Sequence, residues 1–146
     1  MLDRIDVHCI WVSKPVMALL PSDIPDVDGG EIIREPGMGV FCDNAMDMIY
    51  RHFPKPDAEK KRLFIRTAMK NLNSVGLVGA HDASEFPDTL ALWEQWAGVA
   101  DDWTLRVYSM AECPERNTVC LDKIRKIEGD WLTVRSVKLF AGEIIV

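Results

Sequence analysis

Residues 75–83 read VGLVGAHDA. Leu77 to Ala80 form a short apolar run bounded by Gly76 and by His81-Asp82, the pattern of a buried strand that runs into a polar loop. Just upstream, Asp57 follows Pro56 as an N-cap, and Leu63, Phe64, Ala68, Met69 and Leu72 make one apolar face against Lys60, Lys61, Arg66 and Lys70. That helix ends in the stretch Asn73 to Gly76. Downstream, Pro87 to Ala100 returns to helical period through Leu90, Trp93 and Ala97, and Trp103 to Met110 (WTLRVYSM) is rich in β-formers. Pro114 to Ile127 reads as helix, with Val119, Cys120, Ile124 and Ile127 on one side, and Trp131 to Val146 is again β-prone. From Asp57 onward the order is helix, strand, helix, strand, helix, strand. Such an order predicts an α/β fold of βα units on a parallel sheet. By itself it does not choose between a closed barrel and an open sheet.

Residues 1–56 follow a different pattern. Ile5 to Val12 reads as a short strand or an extended entry that ends at Ser13, a good N-cap for a short helix through Pro15 and Val16 to Leu20. Pro21 to Gly30 (PSDIPDVDGG) is loop chemistry, and Glu31 to Arg34 is a short candidate strand. Asp43 opens a helix through Ala45, Met46, Ile49 and Tyr50 that closes before Pro54. The expectation is one fragment in two stretches, an irregular region over 1–56 and βα units over 57–146.

A length of 146 residues with 48% hydrophobic and 27% charged side chains is ordinary for one globular domain or a piece of a larger one. A net charge of −6 repels phosphate backbones and anionic membranes, so neither nucleic acid nor membrane is an expected partner. No stretch approaches the roughly 20 apolar residues of a membrane span. Asp3, Arg4, Asp6 and His8 interrupt any signal-peptide core. Cys9, Cys42, Cys113 and Cys120 include no C-x-x-C pair, and reduced, mostly buried thiols in a cytoplasmic protein are the expectation.

Few residues suggest chemistry. His8, His52 and His81 show neither H-x-H nor H-x-x-x-H spacing, which argues against a self-contained zinc site. His52, in YRHFP, reads as a helix-end residue favoured by the dipole. His81-Asp82 follows an apolar run, where parallel α/β folds gather functional side chains. A histidine bonded to a neighbouring loop explains it equally well. Lys138, between Val137 and Leu139-Phe140, reads best as an edge-strand lysine facing water. Inside a barrel its neutral amine could instead take up carbon dioxide as a carbamate and bridge metals. Arg4, Asp6 and His8 alternate with Ile5 and Val7, so a strand would put them on one face, with solvation the better reading.

Several stretches together resemble amidohydrolase family 3 of the amidohydrolase superfamily. RIDVHCIWVS is similar to that group's R-x-D-x-H-x-x-W-V-N/S segment through Arg4, Asp6, His8, Trp11 and Ser13. GGEIIREPGMGVFCDNAMDMI resembles its G-G-x-I-x-R and G-x-x-x-D-x-A pattern through Gly29, Gly30, Ile32, Arg34, Gly39, Asp43 and Ala45. VGLVGAHDA, RVYSM and VRSVKLFAG look like its later strand segments, through Gly76, His81, Asp82, Ala83, Arg106, Tyr108 and Val137 to Phe140.

The resemblance implies a segment of a (β/α) TIM barrel and, in full-length relatives, metal-assisted hydrolysis of carbon–nitrogen bonds other than peptide bonds. There a divalent metal, zinc by expectation, lowers the pKa of a bound water and an aspartate relays the proton. Lys138 would be the candidate carbamylated metal ligand. His8, Trp11, His81 and Asp82 would contact a small amide-type substrate. The family's H-x-H is missing, and GEIIV at 142–146 departs from the family's D-G-A-L-G. The expectation is therefore a truncated, inactive fragment that binds no metal alone and self-associates through open sheet edges. The alternatives are a non-catalytic interaction module and the remnant of an incomplete gene.

Overall fold

The computed structural model describes residues 1–99, 103–115 and 118–140. The expected C-terminal extension of the last strand and the departure at GEIIV lie outside them. The fold is mixed α/β, with two four-stranded sheets and four α-helices among the described residues. Among the described residues the chain divides into two compact units, Met1–Lys55 and 56–140.

In the first unit, β1 (Leu2–Asp3), β2 (Cys9–Trp11), β3 (Gly30–Ile33) and β4 (Val40–Asp43) form an antiparallel sheet in the order β1-β2-β4-β3. The helix α1 (Lys14–Met17) starts with Pro15 in its first turn, as Ser13-Lys14-Pro15 suggested. The expected single helix from Asp43 is a 3-10 turn (Asn44–Met46) continued by the short helix α2 (Asp47–Tyr50). Ile10, Ile24, Phe41, Ala45 and Ile49 form the core of this unit, with Val16, Leu20 and Ile32 packed against it. Gly30 is forced by packing: a Cβ there would stand 2.4 Å from the backbone nitrogen of Ala45. The proposed strand from Ile5 to Val12 is broken by a turn at residues 5–8, so Asp6 and His8 do not share a strand face.

The second unit starts with α3 (Ala58–Ser74), capped by the Asp57 carboxylate, which accepts the Lys60 amide at 2.8 Å. Its inward stripe is Ile65, Met69 and Leu72, at i, i+4 and i+7. Leu63, Phe64 and Ala68 of the expected apolar face lie outside it and are exposed. Gly76, at φ 85°, ends the helix, with Leu77 donating back to the Leu72 carbonyl at 3.1 Å. Next come β5 (Gly79–Glu85), α4 (Pro87–Trp96), β6 (Arg106–Ala111), β7 (Ile127–Glu128) and β8 (Leu132–Val137), with sheet order β5-β6-β8-β7. β5, β6 and β8 are parallel, and β7 is an antiparallel addition at one edge.

Val107 and Ala111 of β6 and Leu132 and Val134 of β8 share a buried core with Met69, Leu90, Trp93 and Trp96, so α3 and α4 cover one face of this sheet. Three expectations change here. Leu77 and Val78 are exposed rather than buried, because the chain enters the sheet only at Gly79 and at an edge. The helix expected over Pro114–Ile127 does not form among the described residues. Cys113 is bonded to Cys120, and the segment beyond is turn and loop as far as β7. The cysteines are buried as expected but are paired, not reduced. Cys9 and Cys42 face each other across the β2–β4 register, and Cys113 is joined to Cys120, seven positions on.

Removing the α3 cap by Asp57→Ala exposes one orphan amide and is expected to lower stability by about 1 kcal/mol. Chemical denaturation checks this, and an unchanged midpoint would show that the cap is energetically idle.

Candidate functional site

The second sheet presents its functional groups through strand alternation. Buried Val107, Ser109 and Ala111 point to the helices, so Tyr108 and Met110 point to the opposite, open face. The parallel register places His81 opposite Tyr108 and Asp82 opposite Ser109. His81 therefore lies on the open face, stacked on the Tyr108 ring with centroids 5.1 Å apart and 22° between planes. Tyr108 donates from its hydroxyl to Ser136 Oγ at 3.2 Å, which ties three strands together on that face. Asp82 turns the other way. Its Oδ2 accepts the hydroxyl of fully buried Ser109 at 2.6 Å, which satisfies a polar group that would otherwise be stranded in the core.

His81 and Asp82, adjacent in sequence and paired in expectation, are thus separated by the sheet. Both lie within β5 rather than in a loop after it. Near the strand ends, Ser84 donates to Glu112, and the Glu85 main chain accepts the Glu112 amide at 2.9 Å.

Lys138 stands just past β8, where its amide extends the ladder to the Ala111 carbonyl at 2.8 Å. Its Nζ lies 5.2 Å from the centre of the Phe140 ring, an arrangement that suits the charged ammonium. Among the described residues no three His, Cys, Asp or Glu side chains converge. The residues present do not fit the divalent metal implied by the family resemblance.

His8 and Trp11 belong to the first unit. Trp11 is half exposed at the end of β2. His8 has an orientation that its sequence neighbours did not reveal. Its Nδ1 lies 2.8 Å from Asp43 Oδ1, and the Asp43 amide donates to the His8 carbonyl at 2.9 Å. Asp6 Oδ1 accepts the His8 amide at 3.1 Å and also pairs with Arg4. The Arg4 guanidinium and then the His8 amide hold the Asp6 carboxyl down to about 2. The backbone is strained on both sides of this pair. Val7 (φ 59°) and Asp43 (φ 49°) are the non-glycine residues with positive φ among the described residues, and the Cys9–Cys42 bond joins the residues next to His8 and Asp43.

A cleft of about 420 Å³ lies between α3 and α4, lined by Lys61, Phe64, Ile65, Glu85, Phe86 and Trp93 among others. Burial and then the neighbouring Asp82 charge push the Glu85 carboxyl up. Its Oε1 accepts the Phe86 amide at 2.8 Å, which opposes that shift. Lys61 donates to buried Thr89 at 2.7 Å in the same cleft.

The residues missed in the sequence are Asp43 as the partner of His8, Ser109 as the partner of Asp82, and Tyr108 and Ser136 on the open face. Strand alternation in RVYSM carried the only available signal, since it separates Tyr108 from Ser109. His52 lies exposed past the end of α2. No protein-family model matches the chain, and neither a curated protein nor a solved structure gives a match. No helix among the described residues is long and apolar enough to cross a membrane.

Two outcomes follow from these geometries. Val7→Gly removes a left-handed β-branched residue whose side chain is largely in water, and stability should rise by about 1 kcal/mol in chemical denaturation. Glu85, raised in the fold, binds its proton more tightly there than in the unfolded chain. Its contribution is therefore fully present below its ordinary value of 4.5 and is lost as pH rises through the higher folded value. Thermal melts should show Glu85→Gln more stable than the parent near neutral pH, with the difference shrinking on acidification. A constant difference across that range would contradict the burial of this carboxyl.

Proposed function

We propose that this chain is a sector of the catalytic (β/α) barrel of a metal-dependent amidohydrolase of the family 3 kind, and that the open face of its second sheet is a substrate-facing surface. The observation that carries this reading is the arrangement of β5, β6 and β8. Three parallel strands are covered by helices on one side and bear His81, Tyr108 and Ser136 on the other, and parallel α/β folds build sites from the ends of such strands. The substrate class is a small amide-type molecule cleaved at a carbon–nitrogen bond outside ordinary peptides, and the proposed compartment is the cytoplasm.

Within this chain the open-face residues have binding work. The stacked His81 and Tyr108 rings offer a planar surface, and the Tyr108 and Ser136 hydroxyls offer hydrogen bonds to an amide. Because the described side chains do not fit a metal, no hydrolytic step is assigned to them, and the chain alone is proposed to be without metal-dependent turnover. A second reading, a non-catalytic interaction module, draws on the position of β5 at the edge of its sheet, where the strand is open to pairing with another chain.

Titration of the purified chain with small primary and secondary amides, followed by NMR, tests the proposal. Shifts should centre on β5, β6 and β8 and weaken at least several-fold in Tyr108→Phe/Ser136→Ala, while added zinc should produce no amide hydrolysis. Shifts elsewhere, or none, would remove the support for a substrate face. Zinc-dependent turnover would overturn the statement that this chain is inactive alone.

A further inference from the structure

The cleft between α3 and α4 is built from the helices that cover the second sheet, not from the face that carries Tyr108. At about 420 Å³ it falls within the size range of small-molecule pockets, roughly 300–1,000 Å³. Phe64, Ile65 and Ala68 of α3 line one side, and Phe86 and Trp93 line the other. Phe64 and Phe86 keep 53% and 43% of their surface in water, so two aromatic rings stand ready for an apolar ligand to cover.

The polar groups of the cleft are few: Lys61, Glu85 and Thr89. Lys61 is already engaged. Its Nζ donates to Thr89 Oγ1 at 2.7 Å and stands 3.6 Å from Asp88 Oδ2. Glu85 accepts the Phe86 amide at 2.8 Å, and the Thr89 hydroxyl acts on it as a donor. A carboxylate has about four acceptor sites, so Glu85 keeps room for a further donor. The Asp82 charge acts on this carboxyl more strongly than the Lys61 charge, which makes the local field favour a cation. Phe64 already carries one cation, with the Lys60 ammonium 5.8 Å from its ring centre. An anion in the cleft would meet Glu85 and Asp88, whereas a cation would meet an acceptor.

We propose that this cleft binds a small hydrophobic amine, with the aryl or alkyl group between Phe64, Ile65, Phe86 and Trp93 and the ammonium on Glu85. The apolar part supplies affinity by leaving water, and the charge-assisted bond to Glu85 selects the cation. The site uses no residue of β6 or β8 and does not rest on the hydrolase reading.

Ligands of one shape and different charge test the site by NMR on the full chain near neutral pH: 3-phenylpropylamine, 3-phenylpropan-1-ol and 3-phenylpropanoate. The amine should shift the amides of α3 and of the start of α4 together with the Trp93 indole. It should bind roughly tenfold tighter than the alcohol or the carboxylate, the size of one hydrogen bond to a charged group. Glu85→Gln, expected to be the more stable protein near neutral pH, should lose that preference and leave alcohol binding unchanged. Ala68→Trp, which fills the cleft from an exposed position on α3, should weaken all the ligands. Equal affinity across the series, tighter binding of the carboxylate, or a preference for the amine that survives Glu85→Gln would overturn the proposal. So would unchanged affinity in Ala68→Trp or shifts confined to β6 and β8, either of which would put the ligand elsewhere.

Discussion

Parallel pairing of β5 and β8 on either side of β6 is the constraint on which the second unit depends. Parallel neighbours cannot be joined by a tight turn, so the chain must leave the sheet after each strand and return over it. The returning segment needs an apolar surface to rest on. Val107, Ala111, Leu132 and Val134 provide that surface, and Met69, Leu90, Trp93 and Trp96 complete it from the helices. Once one face is committed in this way, period-two alternation commits the other, and Tyr108 has no choice but to face away from the helices. The same rule sends His81 to the open side and turns the Asp82 carboxylate toward buried Ser109.

The first unit is organised by a different principle. Its sheet is antiparallel and small, its core rests on five fully or largely buried residues, and its strands are joined by loops rich in proline, aspartate and glycine. So small a core leaves room for local bonds to set the geometry. The Cys9–Cys42 bond, the approach of Gly30 to Ala45, and the ties between His8, Asp6 and Asp43 lie at the ends of β2, β3 and β4. Strain at Val7 and Asp43 persists because these ties act on the same few residues.

Polar satisfaction explains much of what the open face and the cleft look like. Ser109 is fully buried and would be costly without Asp82. Thr89 is buried and is met by Lys61. Glu85 is met by the Phe86 amide, yet burial outweighs that bond and raises its carboxyl, so it holds its proton more tightly. Lys138 resolves the conflict of a lysine in an apolar run by leaving the strand and resting its charge against Phe140.

Local signals in the chain were enough for the cap at Asp57, the stop at Gly76, the helices after Pro56 and Phe86, and the strand RVYSM, because each depends on neighbours within a turn or two. Helical period over Pro114–Ile127 was equally local, yet Ile127 joins β7 beside β8 instead, a pairing that only the sheet supplies. The stripe of α3 was misjudged for a related reason: two apolar stripes are available on that helix, and only the sheet beneath it selects Ile65, Met69 and Leu72. Tertiary structure alone decided which cysteines pair, that His8 meets Asp43 across 35 positions, and that His81 and Asp82 part company. Those outcomes rest on strand register and loop closure, long-range distances that no window of sequence encodes.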